Sequence, residues 1–168
     1  QFDGDSLITH ASAASPPFDL DLSNRSSQSG RLESISLGSL TTKVTYDPTY
    51  GDLTTLATGY SGSNLYTLDL TFDTVGRIST RKDKVGANPQ SSVTYSYDAA
   101  GRLIGADGHS YGYDARGNRT TVDSSTVAGY DAQDRITNFK SVTYQHDAAG
   151  RRTARVDGAQ TTKYAYDA

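Results

Sequence analysis

Cysteine, methionine and tryptophan are absent from this 168-residue sequence, and glutamate occurs once, at Glu33. Without cysteine there can be neither disulfides nor thiolate metal sites, and nothing marks the redox compartment. Methionine and glutamate favour helices, so their scarcity argues against a helical protein. Apolar runs extend over a few residues only, which excludes a membrane-spanning helix. No charged start followed by an apolar block marks a signal peptide, and the first residue is Gln1, so we read a processed chain or an excised piece of a longer one. What the sequence does hold is 18 Asp, 21 Thr, 20 Ser, 16 Gly and 12 Tyr. Threonine and tyrosine suit pleated surfaces, while aspartate and glycine suit turns. Hydrophobic residues make up 35% and lean on tyrosine, which fits a polar, Tyr-rich sheet better than a thick aliphatic core. Disordered chains are poor in such residues. The net charge of −3 is too small to indicate a partner. It is uneven, with nine acids and three bases in residues 1–75 against ten acids and thirteen bases in 76–168.

Self-similarity organises the chain. Tyr97-Asp98-Ala99-Ala100-Gly101-Arg102-Leu103 is echoed by Phe72-Asp73-Thr74-Val75-Gly76-Arg77-Ile78, by Tyr113-Asp114-Ala115-Arg116-Gly117-Asn118-Arg119 and by Tyr130-Asp131-Ala132-Gln133-Asp134-Arg135-Ile136. His146-Asp147-Ala148-Ala149-Gly150-Arg151-Arg152 follows, and Tyr166-Asp167-Ala168 opens a truncated copy. Tyr46-Asp47-Pro48-Thr49-Tyr50-Gly51-Asp52-Leu53 is the same unit with one insertion, and Phe2–Ile8 is a degenerate first copy. From Asp47 onward the aspartate recurs at intervals of 26, 25, 16, 17, 16 and 20 residues.

The unit spells a hairpin. A type I turn favours Asp at its first position, where the carboxylate accepts a backbone N–H two residues on, and Gly at its fourth. A left-handed glycine after such a turn gives a three-residue hairpin with a bulge. In that register Asp98 faces Arg102 and Tyr97 faces Leu103. The same pairs recur as Asp73 with Arg77, Phe72 with Ile78, Asp131 with Arg135 and Tyr130 with Ile136. Val93–Tyr97, Leu68–Phe72, Val142–Tyr144 and Thr162–Tyr166 alternate with period two, as half-buried strands do. Gly105-Ala106-Asp107-Gly108, Gly86-Ala87-Asn88-Pro89 and Asp157-Gly158 supply the opposite turns. Residues 41–168 are thus expected to form an antiparallel repeat sheet. Residues 1–40 form an irregular N-terminal segment, with Ala11–Pro17 a linker and Gly30-Arg31-Leu32 a half-matching turn before a strand Leu32–Leu40.

Six or seven serial copies of Tyr-Asp-x-x-Gly-Arg-Leu resemble the YD repeat of Rhs proteins, teneurins and the cocoon component of insecticidal toxin complexes. The match is close over 46–168 and loose before it. His146 and Phe72 replace tyrosine, Asp134 replaces the turn glycine, and Asn118 and Asp52 replace arginine. The resemblance implies an all-β fold, a continuous meander spiralling into part of a shell, barrel or tube. In bacterial relatives that shell encloses a toxin, and in teneurins it belongs to an adhesion receptor. Known shells use far more repeats. Asp47-Pro48 shares only two residues with the Asp-Pro-x-Gly-Leu self-cleavage region of many bacterial members, and the turn accounts for them.

Chemistry finds little footing. The repeated aspartates sit at turn starts opposite arginine, not as an acid–base pair facing one cleft. Asp3-Gly4-Asp5 and Asp19-Leu20-Asp21 lack the spaced ligand series of a calcium loop. His10, His109 and His146 have no metal-ligand spacing, no Gly-x-Ser-x-Gly elbow exists, and the glycine-rich stretches lack a phosphate loop's lysine. Arg81-Lys82-Asp83-Lys84 reads as a solvated loop and not a nucleic-acid patch. The expectation is a non-catalytic, cofactor-free wall segment of a secreted or cell-surface shell, tube or fibre. Its partners would be neighbouring repeats of a longer chain, or identical copies stacked head to tail through open edge strands, with a toxin enclosed. The alternative is a carbohydrate-binding or adhesion module using tyrosine-rich faces. The residues expected to carry the repeat are Tyr46, Asp47, Phe72, Asp73, Gly76, Arg77, Tyr97, Asp98, Gly101, Arg102, Leu103, Tyr113, Asp114, Gly117, Tyr130, Asp131, Arg135, Ile136, Asp147, Gly150, Arg151, Tyr166 and Asp167.

Overall fold

A computed structural model describes residues 1–5, 7–15 and 17–167. Among these residues all regular structure is β, in strands joined by tight turns. In chain order the strands are β1 His10–Ala14, β2 Pro17–Asp21, β3 Ser34–Leu37, β4 Leu40–Tyr46, β5 Leu53–Tyr60, β6 Ser63–Phe72, β7 Ile78–Val85, β8 Ser91–Tyr97 and β9 Leu103–Ala106. They continue as β10 His109–Tyr113, β11 Arg119–Val122, β12 Ser125–Thr126, β13 Ala128–Tyr130, β14 Ile136–Phe139, β15 Val142–His146, β16 Arg152–Asp157 and β17 Gln160–Lys163. Spatial order follows chain order, β1 to β12 in one sheet and β13 to β17 in another. The chain divides into two compact units, Gln1–Thr94 and Tyr95–Ala168.

The meander is interrupted once. β12 is two residues long, and Val127 after it donates its N–H back to Thr120 while its carbonyl accepts from Lys140. β12 therefore pairs with β11 and β13 with β14.

Three local expectations need correction. Ala11–Pro17 is no linker: Ala11–Ala14 belongs to β1 and pairs residue by residue with Pro17–Leu20 of β2 (Pro16 lies outside the described residues). Leu32–Leu40 is not one strand, because β3 turns at Gly38 and Ser39 into β4. Arg81–Lys84 is not a loop but the body of β7, where Arg81 pairs with Asp83 at 3.3 Å. At the far end, β17 stops at Lys163, so Tyr164–Tyr166 lies outside regular strand although Tyr164 N–H still donates to Thr153.

The hairpins at Asp73, Asp98, Asp114, Asp131 and Asp147 share the expected turn, and the one at Asp47 is a residue longer. Asp98 N–H donates to the Arg102 carbonyl at 3.0 Å, and Gly101 N–H donates to the Asp98 carbonyl at 3.0 Å. Gly101 sits at φ 81° and Asp134, in the glycine position of its own copy, at φ 61°. The left-handed region is costly for most side chains but open to Asp.

The strands after the turns carry a second irregularity. Tyr97 opposes Leu103 while Ser96 opposes Gly105, so Ile104 is an extra residue. The same slip adds Thr54, Ser79, Thr120, Thr137 and Thr153 in the other copies. Such bulges raise local twist. Several of their hydroxyls reach the facing strand, as Thr54 Oγ1 does to the Thr45 carbonyl at 3.2 Å.

While residues 86–90 make a longer turn between β7 and β8, several of the opposite turns are two-residue loops with positive φ, the geometry that matches strand twist. Asp107 and Gly108 form one, and Asp123 and Ser124 form another with no glycine at all. Among the described residues only Ala128 and Ala154 are buried, so side chains on these strands are mostly half-covered.

Candidate functional site

The repeat aspartates hold their turns at three points. Asp98 Oδ1 accepts the N–H groups of Ala100 and Arg102, both at 2.9 Å, and Oδ2 accepts Arg102 Nε–H at 2.6 Å. Asp73 does the same with Val75 and Arg77, and Asp131 with Gln133 and Arg135. Asp147 accepts Arg151 N–H at 2.9 Å and Arg151 Nε–H at 2.8 Å. Asp114 meets Asn118 in the arginine position and accepts its Nδ2–H at 3.1 Å. A carboxylate that accepts several N–H bonds favours ionisation. All five carboxyls accordingly lie below the ordinary aspartate value. The Arg102 backbone N–H is the largest cause at Asp98, followed by the Arg102 guanidinium. At Asp131 burial pushes upward most strongly, and the Arg135 backbone and side chain together outweigh it.

The earlier copies use the same geometry with fewer parts. Asp47 Oδ1 accepts the N–H groups of Thr49 and Tyr50 at 2.9 and 2.7 Å, and Asp3 Oδ1 accepts those of Asp5 and Leu7 at 3.0 and 2.9 Å. Phe2 bridges Ile8, as Phe72 opposes Ile78. The half-matching turn at Gly30-Arg31-Leu32 belongs to a further copy, whose first half around Ser26 departs from the sequence pattern. Ser26 N–H donates to the Arg31 carbonyl, Gly30 N–H to the Ser26 carbonyl, and Ser26 Oγ accepts from Gln28 and Ser29. Serine stands for aspartate there and Arg25 for tyrosine.

The turns of successive copies are also tied to each other. Arg102, while bound to its own Asp98, lies over the ring of Tyr113 at 4.9 Å, and its Nη1 donates to the Asp114 carbonyl at 3.4 Å. Tyr113 Oη donates back to the Leu103 carbonyl at 2.7 Å. Arg31 and Tyr46 repeat the stack at 5.4 Å, and Arg151 and Tyr166 at 5.2 Å. Tyr46 Oη donates to Leu32 at 3.0 Å, Tyr130 Oη to Arg119 at 3.3 Å and Tyr166 Oη to Arg152 at 2.9 Å. Even Arg25 Nη2 donates to Ile8 at 3.2 Å from the tyrosine position.

Asn118 is too short for this reach. Arg116 spans the junction instead, donating to the Ala132 carbonyl at 2.8 Å, while Asn118 Nδ2 donates to Asp134 Oδ1 at 2.8 Å. These ties make each arginine a staple between hairpins, a role that a guanidinium's fork and flat face allow and an ammonium's do not.

Gly76, Gly117 and Gly150 take the positive-φ turn position, and Ile136 opposes Tyr130. No turn is built on Asp167 among the described residues. His109, read as isolated in sequence, pairs with Asp123 at 2.7 Å across two opposite-edge turns, and His10 lies 3.2 Å from Asp19. No cluster of three or more metal-ligating side chains occurs among the described residues.

A family model described as the teneurin YD-shell matches residues 18–168. The chain belongs to that family. This YD-shell segment has the fold of a stretch of the Photorhabdus luminescens Tc holotoxin pore, with a TM-score of 0.50 and 15% identity. The match covers 96% of this chain and 12% of that one. A TcdB2–TccC3–Cdc42 crystal structure is also similar, with a TM-score of 0.48, 15% identity, and 96% and 12% coverage. The segment thus spans about an eighth of the solved chains it matches. No curated protein matches its sequence. The YD-shell is a structural fold, and no helix among the described residues is long and apolar enough to cross a membrane.

Proposed function

We propose that these residues are a non-catalytic wall segment of a secreted or cell-surface β-shell that encloses a toxin polypeptide. The observation that carries this reading is the arginine–tyrosine staple. It joins turn to turn along one edge of the sheet and so propagates a wall with little buried core. A catalytic use of the repeat carboxylates is disfavoured because at Asp73, Asp98, Asp114, Asp131 and Asp147 both oxygens are engaged within the turn, Oδ2 by the facing arginine or asparagine. The outer edge of β17, exposed along all four residues, offers backbone groups to a further strand of the same wall.

Electron microscopy of the native polypeptide that contains this segment tests the proposal. A hollow, closed particle is expected, and a solid globule would contradict the wall. A glycan array on the same material separates the adhesion alternative. No saturable binding is expected, and binding lost on replacing exposed tyrosines would favour that module instead.

A further inference from the structure

The junction between the third and fourth turns lacks both parts of the staple and has no substitute for either. Between the Asp47 and Asp73 turns the arginine position holds Asp52 and the tyrosine position holds Phe72. At Asp73, Asp98, Asp131 and Asp147 the turn aspartate's Oδ2 takes an arginine Nε–H at 2.6–2.8 Å, and at Asp114 it takes the Asn118 amide at 3.1 Å. Here Asp47 N–H donates to the Asp52 carbonyl at 2.7 Å, which sets the two residues opposite each other, so two carboxylates share the place of an ion pair. Asp47 Oδ2 and the Asp52 carboxylate have no partner among the described residues. An open groove of about 740 Å³ lies at the junction, lined by both aspartates and by Phe72, with Tyr50 and Val75 standing 80% and 71% exposed beside it.

We propose that this groove docks an arginine-bearing segment of another polypeptide, whose guanidinium occupies the place filled in other copies by the repeat's own arginine. The chain supplies the template. Where the staple is complete, at Arg102 and Arg151, a guanidinium binds the turn aspartate with its edge and covers the next aromatic ring with its face, at 4.9 and 5.2 Å. The exchange of arginine for aspartate reverses the sign at this position, so the cation that completes the junction must come from outside. A fork that bonds two carboxylate oxygens and also stacks on a phenyl ring is a guanidinium and not an ammonium. A metal ion fits poorly, since no cluster of three or more ligating side chains lies among the described residues. Tyr50 and Val75 add apolar walls, which suit an arginine flanked by aliphatic residues.

NMR titration of the 168-residue chain with the blocked tripeptide Ala-Arg-Leu, beside its citrulline and lysine counterparts, tests this. Saturable shifts are expected at the amides of Tyr50, Asp52, Phe72 and Val75, with binding weakened about tenfold by citrulline, which keeps the shape and loses the charge. Asp52→Arg should abolish them. Equal binding of the citrulline peptide, or binding unchanged in Asp52→Arg, would overturn the proposal. A readout without ligand accompanies it: Asp52→Arg with Phe72→Tyr builds the staple in place and should raise Tm by a few degrees, and an unchanged or lower Tm would count against it. Sedimentation adds a last discrimination, because self-association abolished by Asp52→Arg would assign the groove to a second copy of this chain instead.

Discussion

At the scale of single residues, one carboxylate does the work of a turn, a cap and an ion pair. Asp98→Ala removes the acceptor of two backbone N–H groups and the Arg102 partner together. Calorimetry should record a Tm lower by about 2–4 °C, the shift expected for loss of one such local cap in a chain of this size. Acid should act on all copies at once. The carboxyls of Asp73, Asp98, Asp114, Asp131 and Asp147 lie below the ordinary value of 3.8, so the folded state binds fewer protons than the unfolded one. Their contribution is full well above pH 3.8 and is lost as pH falls through it to the depressed folded values. Melting at stepped pH should therefore show a plateau that drops on acidification through that range, and Asp→Asn changes at several copies should flatten the drop. The Asp98–Arg102 pairing was legible in sequence because four residues of spacing in a bulged hairpin define it. The reach of Arg102 to Tyr113 was not, since nothing in an interval of sixteen residues says which turns end up side by side.

At the scale of elements, each copy tolerates change only where a neighbour compensates. Asn118 in place of arginine leaves a gap that Arg116 and Asp134 fill from two sides. A cycle of Asn118→Ala and Asp134→Gly should be non-additive by about 0.5 kcal/mol in chemical denaturation, the double variant losing their shared bond once. The hairpins were readable from Tyr-Asp-x-x-Gly-Arg because turn chemistry is local. Three elements escaped for identifiable reasons. β1 and β2 are written in Ala, Ser and Pro, which carry little strand preference, and only their mutual register makes them a hairpin. Only the Gly30-Arg31-Leu32 half of the Ser26 copy was legible, because serine and arginine replace aspartate and tyrosine in the other half while keeping the same bonds. The second bulge did leave a signal, a Thr or Ser two residues after the arginine position in five of six copies, which turn rules alone do not interpret.

At the scale of the whole molecule, cohesion comes from edges and turns more than from an interior. With only Ala128 and Ala154 buried among the described residues, the other aliphatic side chains are half-buried or exposed, and the ladders and turn bonds carry much of the register. Hydrogen exchange should then follow the ladders: β5 and β6, each paired on both sides, protected most, and β17, exposed along its length, protected least. Slow exchange at Gln160–Lys163 in the 168-residue chain would instead show that edge already paired. A double-mutant cycle on Arg102→Ala and Tyr113→Ala measures the staple itself, since the two residues sit in consecutive repeats and meet at 4.9 Å. A wall joined turn to turn predicts a coupling of about 0.5–1 kcal/mol. Strictly additive losses would contradict it.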